Sequence, residues 1–337
     1  MENQKLGSQT FCPGTPPAII GYGSAVGGKE REGPLGPCFD HVSQDDTFGE
    51  KSWEKAESKM QSLALDAALK RAGLHTVDLD LLLAGDLLNQ CIGSSFAART
   101  AAVPYLGLYG ACSTMGESLA LAALLLGGGY GRHAAAVTSS HFCSAERQYR
   151  NPLEYGSQRT PTAQWTATAS GAVVLEAGGT GPRVPCVTIG KVRDKGIQDA
   201  NNMGAAMAPA AYDTLKAHFE DTGRSPDYYD LIVTGDLGYL GRQIVTDFFA
   251  KDGVTLDNYN DCGLILFHRK EQDVHCGASG CGCSAAVLTA YLLPGLEKGL
   301  WRRVLFCPTG ALLSPTSTMQ GESIPGVCHA VVLEGGN

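Results

Sequence analysis

Cys112 lies in the run Gly110-Ala-Cys-Ser-Thr114, between an apolar stretch at 103–109 and an alanine- and leucine-rich stretch at 119–126. The first stretch is too short for a helix and reads as a buried strand; the second has the length and residue types of a helix. A cysteine at a strand-to-helix turn has its sulfur beside the unpaired N–H groups of the first helical turn. Those groups and the helix dipole favour thiolate over thiol. The same groups hold a small anion equally well. The residue types therefore leave two chemistries open, nucleophilic catalysis and anion binding.

Other residues are placed to serve the same mouth. His141 closes the strand after the Cys112 helix, as a carboxylate donor or as a turn cap. Asp86 and Asn89 lie beyond another strand end, where Asp86 can equally take a turn or dimer role. Arg147 and Arg150 are candidates for bidentate carboxylate contacts or for solvated loop charges. Ser113 adjoins the cysteine, and Gly282-Cys283-Ser284 repeats the pattern before a second alanine-rich helix.

The elements that must hold these residues occur twice. Asp-Leu-Leu-Leu-Ala-Gly-Asp-Leu at 80–87 returns as Asp-Leu-Ile-Val-Thr-Gly-Asp-Leu at 230–237, and Ala-Val-Val-Leu-Glu at 172–176 returns at 330–334. With the two cysteine-bearing turns, three echoes run in the same order, which predicts a duplicated chain. An amphipathic helix at 52–72, with Trp53, Ala56, Met60, Leu63, Ala64 and Ala67 on one face, precedes the first echo; a counterpart at 208–219 precedes the second. Each half reads as an α/β unit with helices covering a sheet, the halves dividing as 1–180 and 181–337. Ligands of such sheets lie beyond strand ends, where helix N-termini converge. Two loops break the pattern. The segment 140–166, with Arg147, Tyr149, Arg150, Pro152, Tyr155 and Arg159, reads as an ordered flap or an oligomer contact. The segment 27–47 is rich in glycine and proline and reads as tight turns.

Composition narrows the classes. A chain of 337 residues that is 44% hydrophobic can bury a large core, and a net charge of −8 argues against nucleic acid as a partner. No apolar segment is long enough to cross a membrane, and the first ten residues lack a signal-peptide core. Twelve cysteines without an export signal predict free thiols in a reducing compartment. They show no paired Cys-x-x-Cys sites, so no metal site is expected.

The duplicated pattern with Gly-Ala-Cys-Ser at an elbow resembles the thiolase-like superfamily. Within it, the chain resembles the stage V sporulation protein AD family. The resemblance rests on Gly33-Pro-Leu-Gly36, Asp80-Leu-Leu-Leu-Ala-Gly-Asp-Leu-Leu-Asn-Gln90, Gly110-Ala-Cys-Ser-Thr114, Thr138-Ser-Ser-His141, Ala145-Glu-Arg-Gln148, Met207-Ala-Pro-Ala-Ala211 and Thr309-Gly-Ala-Leu-Leu-Ser-Pro315. It implies a thiolase-like αβαβα layered sandwich of two α/β halves. Condensing enzymes of the superfamily pair their cysteine with two histidines, or with a histidine and an asparagine. Matching their motifs puts Gly235 or Asp236 at the histidine position and Gly282 at the asparagine. A thiolase register puts Val274, rather than His275, at the histidine and Cys307 at the second cysteine.

The family implies a protein that binds dipicolinate (pyridine-2,6-dicarboxylate), with or without calcium, and works with SpoVA membrane proteins in dipicolinate uptake into developing spores. The expected site is Cys112, Ser113, His141, Gly282, Cys283, Ser284, Asp86 and Asn89, with no cofactor. A homodimer associated peripherally with the spore inner membrane is expected. The alternative is an acyltransferase or condensing enzyme using Cys112 as nucleophile; a structural assembly protein is the third reading.

Overall fold

The computed structural model describes residues 2–149 and 159–336. Its first sheet runs in the order β4 (His41–Val42), β3 (Ala18–Val26), β9 (Ala169–Glu176), β7 (His133–Ser140), β5 (Leu81–Gly85) and β6 (Tyr105–Gly107). The second runs β1 (Gln4–Leu6), β2 (Thr10–Cys12), β10 (Val187–Thr188), β17 (Ala330–Glu334), β14 (Arg303–Cys307), β11 (Leu231–Thr234) and β12 (Tyr259–Asp261). Two short pairs, β8 (Trp165–Thr166) with β13 (Ala278–Ser279) and β15 (Thr309–Ala311) with β16 (Gly326–Cys328), lie beyond the strand ends.

The sequence echoes fall on equivalent strands. β9 is antiparallel to both β3 and β7, as β17 is to β10 and β14. β5 is parallel to β6 and β7, as β11 is to β12 and β14. Asp80 accepts the backbone N–H groups of Arg132 and His133 at 2.6 and 3.0 Å, and Asp230 does the same for Arg302 and Arg303 at 2.7 and 2.8 Å. Each aspartate thus ties the entry of one central strand to the entry of its neighbour.

Helices sit in three layers around the two sheets. Helix Trp53–Ala72 starts at Ser52, whose hydroxyl accepts from Lys55 N–H, and packs on β3 and β9. It comes so close that a Cβ on Gly21 or Gly23 would lie 2.2 or 2.5 Å from Ala68 O or Ala64 O, so only glycine fits there. Of the predicted face, Ala56, Met60 and Ala64 are fully buried, but Glu57 and Gln61 are buried beside them. Helices Met203–Thr222 and Gly238–Lys251 pack together outside the second sheet. The former begins at Met203, five residues before the predicted start, is capped by Asn202 and carries Pro209. Helices Thr114–Gly127 and Cys281–Val287 lie between the sheets, sharing one core with Val233, Val304 and Phe306.

Three expectations are corrected. The 103–109 run is not a buried strand: only Tyr105–Gly107 pairs, at the sheet edge with one neighbour, and Leu106 is 40% exposed. The sheets do not part cleanly at residue 180, because β1 and β2 join the second sheet through β10. Not all cysteines are free: Cys12 and Cys186 sit opposite each other where β2 meets β10, and they form a disulfide, leaving ten free thiols.

The paired roles of Asp80 and Asp230 are testable. Asp80→Ala and Asp230→Ala should each lower stability in urea by about 1 kcal/mol, since each leaves two N–H groups without a protein acceptor. Loss in only one variant would contradict an equivalent function.

Candidate functional site

Before the Cys112 helix the chain makes a tight turn at Ala111–Ser113 and enters the α-helix at Thr114. Ala111 has φ of 50°, in the left-handed region that costs a non-glycine residue energy. Hydroxyls tie the turn: Ser113 donates to Gly110 O at 2.7 Å, and Thr114 donates to Ala111 O at 2.6 Å. Gly310 of β15 crosses so near that a Cβ there would lie 2.2 Å from Gly110 O. The elbow is thereby clamped between halves.

Cys112 lies at one wall of a slot of about 420 Å³, mouth included. Leu87, Ala111, Ala145, Met203, Ala311 and Leu313 form its apolar surface; Tyr109, Glu146, Tyr149, Thr166 and Ser279 supply polar groups. No Lys, Arg or His lines it among the described residues. Little enclosed space lies behind the mouth, so the slot is thin.

The group that decides the chemistry of the thiol is Asp236, fully buried at the end of β11. Its carboxylate accepts Gly280 N–H at 2.9 Å, Ser279 Oγ–H at 3.1 Å and Thr309 Oγ1–H at 3.0 Å, and its charge acts on the neighbouring Cys112 thiol. Burial raises its pKa to about 6 against those hydrogen bonds, so at neutral pH it is ionised. Burial, and then the Asp236 charge, push the Cys112 thiol well above its usual range. The elbow therefore does not make a thiolate: burial, with the Asp236 charge second, outweighs the helix dipole.

The expected site residues do not all meet. Of them, Cys112 alone lines the slot. Ser113 is closed onto Gly110, and Ser284 donates to Cys281 O at 3.3 Å. Cys283 is inside the core with its sulfur 3.6 Å from Gly235 O; Cys281 is the second-half cysteine that packs near Cys112. Four of the helix-start donors are already engaged: Ser113 N–H with Gly110 O, Gly280 N–H with Asp236, Gly282 N–H with Ser140 Oγ, and Cys283 N–H with Gly280 O. His141 caps a turn: its Nδ1 accepts Cys143 N–H, so Nε2–H donates to Asp46 O at 2.6 Å, and burial lowers its pKa. Asp86 accepts Leu88 N–H, Ser94 N–H and Ser94 Oγ–H at 2.6–2.8 Å. Asn89 accepts Gln148 Nε2–H at 3.0 Å in a separate cleft. Arg147 pairs with Glu54 over the Trp53 ring. Arg150, Pro152 and Tyr155 lie outside the described residues. His275 meets Thr160 O, away from the slot, and Cys307 is core.

Tyr109, Glu146, Tyr149, Thr166, Met203 and Ser279 were not singled out as ligand groups. Tyr149, Glu146 and Ala145 come from helix Phe142–Tyr149, whose proximity to the elbow is tertiary. The one available signal was the polar, aromatic segment after His141, which carries Glu146 and Tyr149.

A two-half α/β fold with a cysteine elbow between the sheets defines a thiolase-like protein. It is similar to 3-oxoacyl-(acyl-carrier-protein) synthase III from Aquifex aeolicus VF5 (TM-score 0.58, 13% identity, 94% of this chain and 99% of that one). It is likewise similar to cerulenin-bound OleA from Xanthomonas campestris (TM-score 0.57, 15% identity, 95% and 97%). The chain belongs to the stage V sporulation protein AD family, whose sequence profile matches residues 7–334. It is 45% identical over 329 residues to stage V sporulation protein AD of Bacillus subtilis (strain 168), covering 97% of each. No helix among the described residues is long and apolar enough to cross a membrane.

Buried carboxyls give the molecule a distinctive pH response. Burial raises Glu30 and Glu57 to about 8 and Asp261 to about 7. Between pH 6.5 and 8.5 the folded chain holds protons there that the unfolded chain has already lost, so stability falls as pH rises. Below pH 6.5 the buried neutral His218 and His329, lowered to about 3 and about 4, oppose that trend as the unfolded chain takes up protons. Thermal unfolding at constant ionic strength should show a lower Tm at pH 8.5 than at pH 6.5; a flat or rising Tm would contradict these assignments.

Proposed function

We propose that this chain is a non-catalytic binding protein for dipicolinate, working beside SpoVA membrane proteins during dipicolinate uptake into developing spores. One observation carries the non-catalytic part: burial and the adjoining Asp236 charge keep Cys112 a thiol, and the position where condensing enzymes keep an imidazole falls on Gly235 or Asp236. A carboxylate cannot donate to an oxyanion, and the asparagine position is Gly282. Removing one such donor costs roughly 10²–10³ in rate, and here both are replaced.

The thin slot supports a flat ligand over an acyl chain. Family membership supports the sporulation setting. Without a crossing helix among the described residues, the proposed place is peripheral, at the spore inner membrane. Strand β6, paired on one side only and with Leu106 exposed, supports a homodimer.

Calorimetric titration of the full chain with dipicolinate, with and without calcium, tests the reading. Saturable binding is expected, weakened by about tenfold or more in Cys112→Phe, which overfills the slot. Cys112→Ala should stay within about threefold, because no thiolate is needed. An acyl adduct on Cys112 that turns over with acyl-CoA would overturn the proposal in favour of a condensing enzyme.

A further inference from the structure

A dicarboxylate entering a slot whose described wall holds no cation must be met by neutral donors. The side-chain donors on that wall can be counted. Ser279 gives its proton to Asp236 at 3.1 Å, and the Cys112 thiol lies beside the same charge. Thr166 donates to Glu146 Oε1 at 3.2 Å. Tyr149 donates its only hydroxyl proton to Leu87 O. The 2.7 Å contact between the Tyr109 and Tyr149 hydroxyls can then have one polarity: Tyr109 donates and Tyr149 accepts.

Tyr109 thus differs from the other hydroxyls. Diverting Ser279 or Thr166 takes a donor from a buried carboxylate, and diverting Tyr149 takes one from a backbone carbonyl. Diverting Tyr109 removes only a hydrogen bond accepted by a neutral hydroxyl that keeps its own partner. The ring is 43% exposed, so it has room to turn.

We propose that Tyr109 is the ligand-binding donor of the slot, its hydroxyl leaving Tyr149 to hydrogen-bond an entering carboxylate. This rests on the slot's being the dipicolinate site. The phenol is protonated throughout the neutral range, since burial raises its pKa to about 12. A neutral donor exchanges one hydrogen bond for a stronger, charge-assisted one. Tyr149 has a different part: it competes with the ligand for the Tyr109 proton.

The two phenols therefore predict opposite effects. In calorimetric titration with dipicolinate, Tyr109→Phe should weaken binding by about tenfold, whereas Tyr149→Phe should leave it unchanged or tighten it, since Tyr109 then has no protein acceptor to leave. Isosteric ring replacement keeps the wall filled, and circular dichroism with Tm checks the fold of each variant. Wild-type affinity in Tyr109→Phe, or equal weakening in both variants, would overturn the assignment while leaving the dipicolinate reading intact. No binding by the wild-type chain would overturn both.

Discussion

A carboxylate buried at the end of a central strand sets the chemistry of this molecule. Asp236 gathers donors from the segment before helix Cys281–Val287 and from β15, and its charge acts on the Cys112 thiol at the elbow. With those bonds it remains ionised in the interior; without them, burial would neutralise it. Its charge keeps the Cys112 proton in place. The same bonds tie together segments of the second half beside the slot. One interaction thus governs the thiol and organises the wall of the slot beside it.

Duplication explains where that carboxylate comes from. Gly-Asp-Leu ends β5 and follows β11, yet the two aspartates have separate uses. Asp86 secures the chain entering helix Ile92–Ala101 through Leu88 and Ser94, while Asp236 faces inward onto the thiol. The cysteines diverged likewise: Cys112 reaches a slot, and Cys283 is packed into the core. By contrast, Asp80 and Asp230 kept one role, because the strand entries they join are a requirement of the sheet itself. Divergence is concentrated at the strand ends, where ligand chemistry is decided.

Much of the architecture was legible in the chain. Echoed strands, the elbow and the helix opened by Ser52 follow from local pattern and spacing. Gly235 or Asp236 was visible as a misfit at a histidine position, but the effect of the Asp236 charge on the thiol was not, since the two are remote in sequence. The elbow suggested a thiolate because dipole and N–H groups are local features, whereas desolvation depends on what packs above. His141, Cys283 and Asp86 are oriented by such packing, and each turned to a structural partner. Tyr109 and Tyr149 meet across forty residues, so the donor chain between them had no local signature. The Cys12–Cys186 pairing was equally hidden, because it depends on the first residues crossing into the second sheet.

The most direct measurement is the pH dependence of Cys112 alkylation in the intact chain, followed by iodoacetamide labelling and peptide mass mapping. With burial and the Asp236 charge holding the proton, labelling should stay slow through neutral pH and rise only above about pH 9. Asp236→Asn should move that rise to lower pH while the fold is retained. A wild-type labelling midpoint near or below pH 7 would mean that Cys112 is a ready nucleophile, and would contradict the account.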